Sequence, residues 1–338
     1  QTAPVAAAAA ASADDASATD LDTVQVIGKV DYGYLRKRTE SATRTDTDLQ
    51  DVPQAITVIT QDLIRDQAMQ NLADVVRYVP GATMAQGEGN RDTAVMRGNS
   101  TTADFFVDGV RDDVQYIRDI YNTERVEALK GPNAMIFGRG GSGGVVNRVS
   151  KQAGWDTVRE LDLQLGSWNR RRIAADIGQP VGEALGVRVN AMFEDSENWR
   201  DGYEARRWGV NPTVAIAAGD ATRIHLGYEH FEDDRVADRG VPSLLTAFDG
   251  RRLPVDTDRS TFFGDPARSP TWVDVDALTA LVEHDFGAGL SLRNRTRWAD
   301  HDKFYQNVYA SGPLVPGVLG LTLRGSFANR EASKLTFE

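Results

Sequence analysis

From Trp155 onward, apolar and charged residues alternate with a period of two through one segment after another. Leu161, Leu163 and Leu165 alternate with Asp162 and Gln164, and Ile173, Ala175 and Ile177 with Arg172 and Asp176. Val187, Val189, Ala191 and Phe193 alternate with Arg188, Asn190 and Glu194, and Ile224, Leu226 and Tyr228 with Arg223, His225 and Glu229. Leu290, Leu292, Thr296 and Trp298 alternate with Ser291, Arg293, Arg295 and Arg297. A period of two is that of an extended strand with one apolar and one polar face. With short turns at Gly166–Asn169 and Ala217–Asp220, this predicts roughly eight antiparallel strands between Val158 and Glu338. Two architectures fit: a half-buried sheet of a soluble protein, or a barrel wall with lipid outside and a polar interior. No apolar run approaches the ~20 residues of a membrane helix, a test that barrel strands escape. The stretch Asp233–Thr271, rich in Pro, Gly, Arg and Asp, reads as one long connecting loop.

The front of the chain has a different texture. Residues 1–20 are mostly Ala, Ser, Thr and Asp, too poor in large apolar side chains to offset the entropy of ordering, so they read as disordered. Leu21–Gly28 is a short β-prone run with Val24 and Val26 in alternation, and residues 29–50 are polar and irregular. A compact α/β unit follows. Ala55–Ile59 is β-branched, and Leu72, Val75, Val76 and Val79 fall on one helical face behind Asn71 as N-cap, with Pro80-Gly81 to stop the helix. Short strands are expected at Thr93–Met96, Asp104–Val107, Val126–Leu129 and Gly144–Val149, with loops at Ala85–Arg91, Asn99–Thr102 and Asp112–Ile120. The chain thus divides into 1–20, 21–50, an α/β domain over 51–153, and the strand-rich 154–338.

Composition narrows the functional classes. The absence of cysteine excludes a disulfide framework and Cys-ligated zinc. A net charge of -11 argues against general nucleic-acid binding, which needs a basic footprint. Gly138–Gly143 satisfies G-x-G-x-x-G and Gly140–Gly144 satisfies G-x-S-x-G, yet both motifs need a helix next, and Val145-Val-Asn-Arg-Val149 is a β-branched run. The glycines are better explained by a turn and close backbone approach. His225, His230, His284 and His301 have no metal-ligand spacing, and the first two, five apart on a strand, point to opposite faces. The paired acids Asp112-Asp113 and Asp233-Asp234 read as solvated loop charges.

Asn122-Thr-Glu-Arg-Val-Glu-Ala-Leu-Lys-Gly-Pro132, followed by the glycine cluster and Val145–Lys151, closely resembles the signature of the plug domain in TonB-dependent outer-membrane receptors, especially the siderophore receptors. Asp51-Val-Pro-Gln-Ala-Ile-Thr-Val-Ile-Thr60, Leu72 to Pro80-Gly81, Val95-Met-Arg-Gly98 and Phe106-Val-Asp-Gly-Val-Arg111 stand before it in the expected order. Leu21 to Lys151 carries the resemblance strongly, and the rest carries it by pattern.

The resemblance implies an N-terminal α/β plug domain followed by an incomplete antiparallel transmembrane β-barrel, about eight of the family's twenty-two strands, the chain being truncated inside the barrel. It implies no enzyme and no covalently bound cofactor, but a ferric siderophore as transported ligand, with receptors for cobalamin, oligosaccharide or another metal complex as same-fold alternatives and a soluble β-rich adhesin or enzyme as the remote one. Asp22, Thr23, Val24, Gln25 and Val26 match the TonB box, which adds as a strand to TonB, itself working with ExbB and ExbD of the inner membrane. The protein would sit as a monomer among outer-membrane lipid and lipopolysaccharide of a Gram-negative cell, its N-terminus in the periplasm. Ligand-binding residues at the plug apices would be Gln86, Glu88, Asn90 and Arg91, then Asn99, Ser100 and Thr101, then Gln115, Tyr116 and Arg118. An Arg and aromatic mixture suits an anionic aromatic ligand such as a ferric catecholate. Arg97 and Lys130 would latch the plug to barrel carboxylates, some of them on strands missing from this chain.

Overall fold

The structure, a computed structural model, describes residues 33–41, 43–131, 137–138, 141, 143–245, 250–310 and 323–337, with Leu245 and the last segment described by backbone alone. Asp22, Thr23, Val24, Gln25 and Val26 lie outside the described residues.

The N-terminal portion opens with a two-stranded ribbon, β1 (Arg38–Thr39) and β2 (Thr47–Asp48). Behind it stands a sheet in which β3 (Ala55–Thr60), β9 (Thr123–Lys130) and β10 (Gly144–Ser150) run antiparallel. β10 then pairs in parallel with β7 (Phe105–Val107), which turns back through β8 (Val110–Arg111). A separate three-stranded meander holds β4 (Ala82–Met84), β5 (Ala94–Met96) and β6 (Asn99–Thr101). β6 therefore lies where a loop is expected, its bonds to β5 making up for a run too short to read as a strand. Two short helices cover the sheet. In α1 (Gln61–Asp66) the Thr60 hydroxyl accepts from the Leu63 amide, and in α2 (Leu72–Val76) Asn71 Oδ1 accepts from the Asp74 amide, as the N-cap expectation requires. Leu72, Val75 and Val79 pack with Ile59, Phe105, Val126 and Val146 in one core. Each such side chain contributes about 1.5–3 kcal/mol by burial.

The glycine cluster leads into strand β10, so the helix that a dinucleotide or hydrolase motif requires does not follow. Gly144 has φ +146, and a Cβ there would meet Leu129 O at 2.5 Å and Met96 Sδ at 2.6 Å. Close approach of three strands explains the residue.

The rest is one eight-stranded antiparallel sheet in chain order: β11 (Val158–Leu165), β12 (Arg171–Val181), β13 (Leu185–Glu197), β14 (Glu204–Ala217), β15 (Thr222–Val236), β18 (Pro270–Gly287), β19 (Leu290–Ala310) and β20 (Leu323–Phe337). The long connection after β15 carries its own hairpin, β16 (Ser243–Leu245) and β17 (Arg252–Pro254). Period-two alternation sorts the two faces as expected. Leu161, Leu163 and Leu165 are 63%, 67% and 87% exposed, whereas Arg172, Asp176, Asn190, Glu194 and Arg207 are buried against the plug. His225 faces the plug beside Asn122 and Lys151, while His230, between Glu232 and Asp276, is on the opposite face.

Candidate functional site

The plug meets the wall through charge, and strand register arranges it. Arg172, Glu194, Arg207 and Asp233 are direct cross-strand partners on β12, β13, β14 and β15, giving a row of alternating sign across four strands. Into this row the plug inserts Asp119. Arg172 donates to both its oxygens at 2.9 Å, Arg207 reaches Oδ2 at 3.1 Å, and Glu194 accepts from Arg172 at 2.9 Å and Arg207 at 2.8 Å. Burial by itself would raise the Asp119 carboxyl, but the two guanidinium groups hold it below the usual carboxylate range.

A second knot lies within the plug loop Asp112–Ile120. Arg118 is fully buried. Its Nε donates to Asp112 Oδ2 at 2.9 Å, Nη2 to the carbonyls of Asp112 and Val114 at 2.8 and 2.7 Å, and Nη1 to Tyr116 O at 3.2 Å and Asp92 at 3.4 Å. All five donors are used, and the guanidinium stacks 4.4 Å from the rings of both Phe105 and Tyr116. Arg148 Nη2 and the Tyr116 hydroxyl add bonds to Asp112 at 2.8 and 3.0 Å. Against the pull of burial, Arg118 and Arg148 hold the Asp112 carboxyl far below its ordinary range; burial and Asp112 push the Tyr116 phenol up to about 12. Burial raises Asp92 despite Arg118. Lys151 reaches Asp176 at 3.0 Å beside Arg188, and Asn122 donates to Glu229 at 2.8 Å.

These positions correct several expectations. Arg118, Tyr116 and Asn90 are buried and bonded within the protein, so a ligand at the apices does not reach them in this conformation. Asp112 and Asp233 are not solvated loop charges; both are buried and paired with arginines. Asn99 sits beside the Arg97–Gly98 turn of its hairpin, its Cβ close to Gly143, rather than among the apex contacts. Ser100 is exposed on the same hairpin. Lys130 Nζ lies 3.4 Å from Pro80 O and Arg97 reaches toward Gly131; among the described residues neither makes an ion pair. Among the described residues, contacts between plug and wall include those of Asp119, Asn122, Lys151 and, from β19, Lys303.

The apex loops converge on the wall. Lys303 Nζ donates to Asn90 Oδ1 at 2.6 Å and to Gln115 O, tying the first and third apices to the wall. Arg91 donates to Gln115 Oε1 at 3.3 Å, and Gln115 donates to Thr102 Oγ1 at 3.0 Å, just beyond Thr101, so loops of all three expected apices meet. The first apex, Gly87–Gly89, runs through three successive left-handed residues, at φ 66, 60 and 74. It lies against Asp238 and Arg239 at the base of the long loop. The Gln86 amide donates to Asp238 O, and Glu88 pairs with Arg239 at 3.1 Å and with Arg91 at 3.0 Å. Among the described residues no cluster of three or more His, Asp or Glu could hold a metal ion. The arrangement sets partly exposed guanidinium groups of Arg91 and Arg239 beside the ring of Tyr309.

Comparison with known proteins accords with this geometry. The TonB-dependent Receptor Plug Domain family matches residues 48–145. The catecholate siderophore receptor Fiu of Escherichia coli K12 is 34% identical over 268 residues, covering 74% of this chain and 34% of the relative. The chain belongs to the TonB-dependent receptor family. The open-form crystal structure of Fiu superposes with a TM-score of 0.79 at 28% identity, over 90% of this chain and 48% of that one. The siderophore receptor PiuA of Acinetobacter baumannii gives a TM-score of 0.83 at 25% identity, over 90% and 44%. The metal-pseudopaline receptor CntO of Pseudomonas aeruginosa PAO1 is 30% identical over 305 residues, 88% of this chain and 42% of the relative. The chain thus spans less than half the length of these relatives.

Proposed function

We infer that the full-length protein is an outer-membrane receptor that binds a ferric siderophore, catecholate type favoured, and imports it with energy delivered by TonB, ExbB and ExbD. The observation that carries the reading is the convergence of plug apices, wall and loop base on Arg91, Gln115 and Arg239 above a plug fixed to a sheet whose other face is apolar. A planar, anionic, aromatic-bearing complex meets fixed guanidinium groups and ring faces there. The likeness to Fiu supports the catecholate choice. The likeness to CntO keeps another metal complex as the second reading. Asp22–Val26 would serve as the strand that TonB captures on the periplasmic side.

Growth of a receptor-deficient strain, complemented with the full-length gene and fed purified complexes, tests the assignment. Ferric catecholates should restore growth in iron-limited medium. Restoration by a metal–pseudopaline complex alone would replace the ligand, and restoration by none would remove the reading. In the same strain Val24→Pro should keep binding of labelled ferric catecholate in the cold and lose its accumulation at growth temperature, because proline removes a ladder donor. Equal loss of both, or unchanged accumulation, would overturn the coupling role.

A further inference from the structure

Glu88 is an odd residue to find at a surface meant to receive an anion. It is the only side chain of the Gly87–Gly89 turn, and its φ of 60 is a left-handed conformation that non-glycine residues seldom adopt. The flanking glycines carry the same sign of φ, so the turn as a whole lifts one carboxylate off the apex. Its two oxygens are divided between two cations. Oε2 lies 3.0 Å from Arg91 Nη1, on the plug, and Oε1 lies 3.1 Å from Arg239 Nη2, at the base of the long wall loop.

Each of these arginines is held in place by other means. Arg91 donates to Gln115 of the third apex at 3.3 Å. Arg239 lies 3.9 Å over the ring of Tyr309 and 3.4 Å from the Tyr305 hydroxyl, both on β19. Removing the Glu88 carboxylate would therefore leave two preset guanidinium groups facing one empty anion position, with an aromatic ring alongside. Both arginines are about three-quarters covered, which strengthens an ion contact relative to one in bulk water.

We propose that Glu88 is an internal stand-in for the ligand's anionic group: it occupies the seat between Arg91 and Arg239 in the empty receptor and leaves when a catecholate or carboxylate oxygen of the incoming complex takes its place. This rests on the receptor reading above and deepens it by assigning Arg239 and Tyr309, outside the plug, to recognition. The exchange conserves charge at the seat: one anion replaces another, and no proton moves. It also has a mechanical consequence. Glu88 is one of the contacts between the first apex and the loop base, beside the Gln86–Asp238 bond, so its release loosens the loop from the plug as ligand arrives.

The test uses the full-length receptor in detergent, with the ferric complex of 2,3-dihydroxybenzoate as anionic probe and a neutral ferric trihydroxamate as control. Affinity is read by quenching of tryptophan fluorescence. Glu88→Gln keeps size but removes the charge and turns one of the two acceptor oxygens into a donor, and should bind the catecholate probe three- to tenfold more tightly, with no gain for the neutral complex. Arg239→Gln should weaken the catecholate at least tenfold, and in the Glu88→Gln/Arg239→Gln protein the gain should vanish. Weaker or unchanged binding by Glu88→Gln would overturn the proposal while leaving the receptor assignment standing. A gain that persists without Arg239 would also overturn it, since it would show only a change in the general field. Failure of the unaltered protein to bind either complex would remove both.

Discussion

Two of the places where plug and wall meet are built from the same residue types and differ in depth. In the lower one, Asp119 is 1% exposed and Arg172 4%, and two acids share two arginines through five contacts near 3 Å. In the upper one, Glu88 is 31% exposed and Arg239 25%, joined by one ion contact beside the Gln86–Asp238 hydrogen bond. Charges withdrawn from water must be matched or the folded state becomes costly, and once matched they are hard to separate. Half-exposed pairs exchange with water and other ions at little cost. The difference suits a fixed mount below and a replaceable contact above. Strand register makes the lower one possible: only where Arg172, Glu194 and Arg207 stand opposite one another can a single carboxylate engage two of them.

The largest effect should come from the lower site. Asp119→Ala leaves two buried arginines facing only Glu194, and breaking such a network by removing one partner costs about 3–5 kcal/mol. Thermal unfolding of the full-length protein should shift strongly downward, and amides of β12 to β14 should exchange faster. Arg239→Ala, by contrast, should change global stability by less than about 1 kcal/mol. Equal losses in the two variants would break the comparison.

Acid should act on the same site with a definite sign. Asp119 and Asp112 are depressed below their ordinary value of 3.8 in the folded protein. A depressed carboxyl contributes its full stability above the unfolded value; as pH falls below that, the unfolded chain takes up protons first and the contribution drains away. Asp92 is raised, mainly by burial, so it binds a proton earlier when folded and offsets part of the loss. The docked plug should therefore hold its unfolding temperature from pH 7 to about 5 and lose it steeply below about 4. In Asp119→Asn the acid limb should be shallower. A profile unchanged by that substitution would show that other carboxyls govern acid unfolding.

How much of this was legible in the sequence follows the same division. The sheet was, because alternation is local: Leu161, Leu163 and Leu165 declare their face without reference to anything distant. So was the α2 cap at Asn71. α1 was not, since Gln61-Asp-Leu-Ile-Arg-Asp66 is too short to show a helical period, although Thr60 as cap and the Asp62–Arg65 pair at 2.6 Å were available signals. β4 and β6, at three residues each, exist only through pairing with β5. Two buried acids were misread: Asp112 and Asp233 look like loop acids until the fold sets Arg118 and Arg148 against the first and Arg235 against the second. A hint was present: charged residues recur at inward positions of consecutive strands, and a polar row that faces inward needs polar partners. Arg118 illustrates the opposite error. An arginine in an apex loop looks available, and only the three-dimensional count of its five satisfied donors removes it from the surface.

The smallest expected effect is also the finest test of the contrast. Gly89 has φ +74, and a Cβ there would lie 2.5 Å from Asp238 O and 2.6 Å from Asp238 N. Gly89→Ala therefore meets two obstacles: about 1–2 kcal/mol for a left-handed alanine, and a clash with backbone that only movement of the loop base can relieve. Because the upper contact is shallow, the loop should lift off and the strain disperse there. Amides of Asp238–Gly240 should exchange faster in Gly89→Ala, while the main unfolding transition stays close to that of the unaltered protein and the β12–β14 amides remain protected. If the transition instead falls as far as in Asp119→Ala, the loop base is a second mount for the plug rather than a replaceable contact. If nothing changes at Asp238–Gly240, the apex and the loop do not press on each other as the geometry requires. Only local loosening with global stability intact keeps the two sites in separate roles.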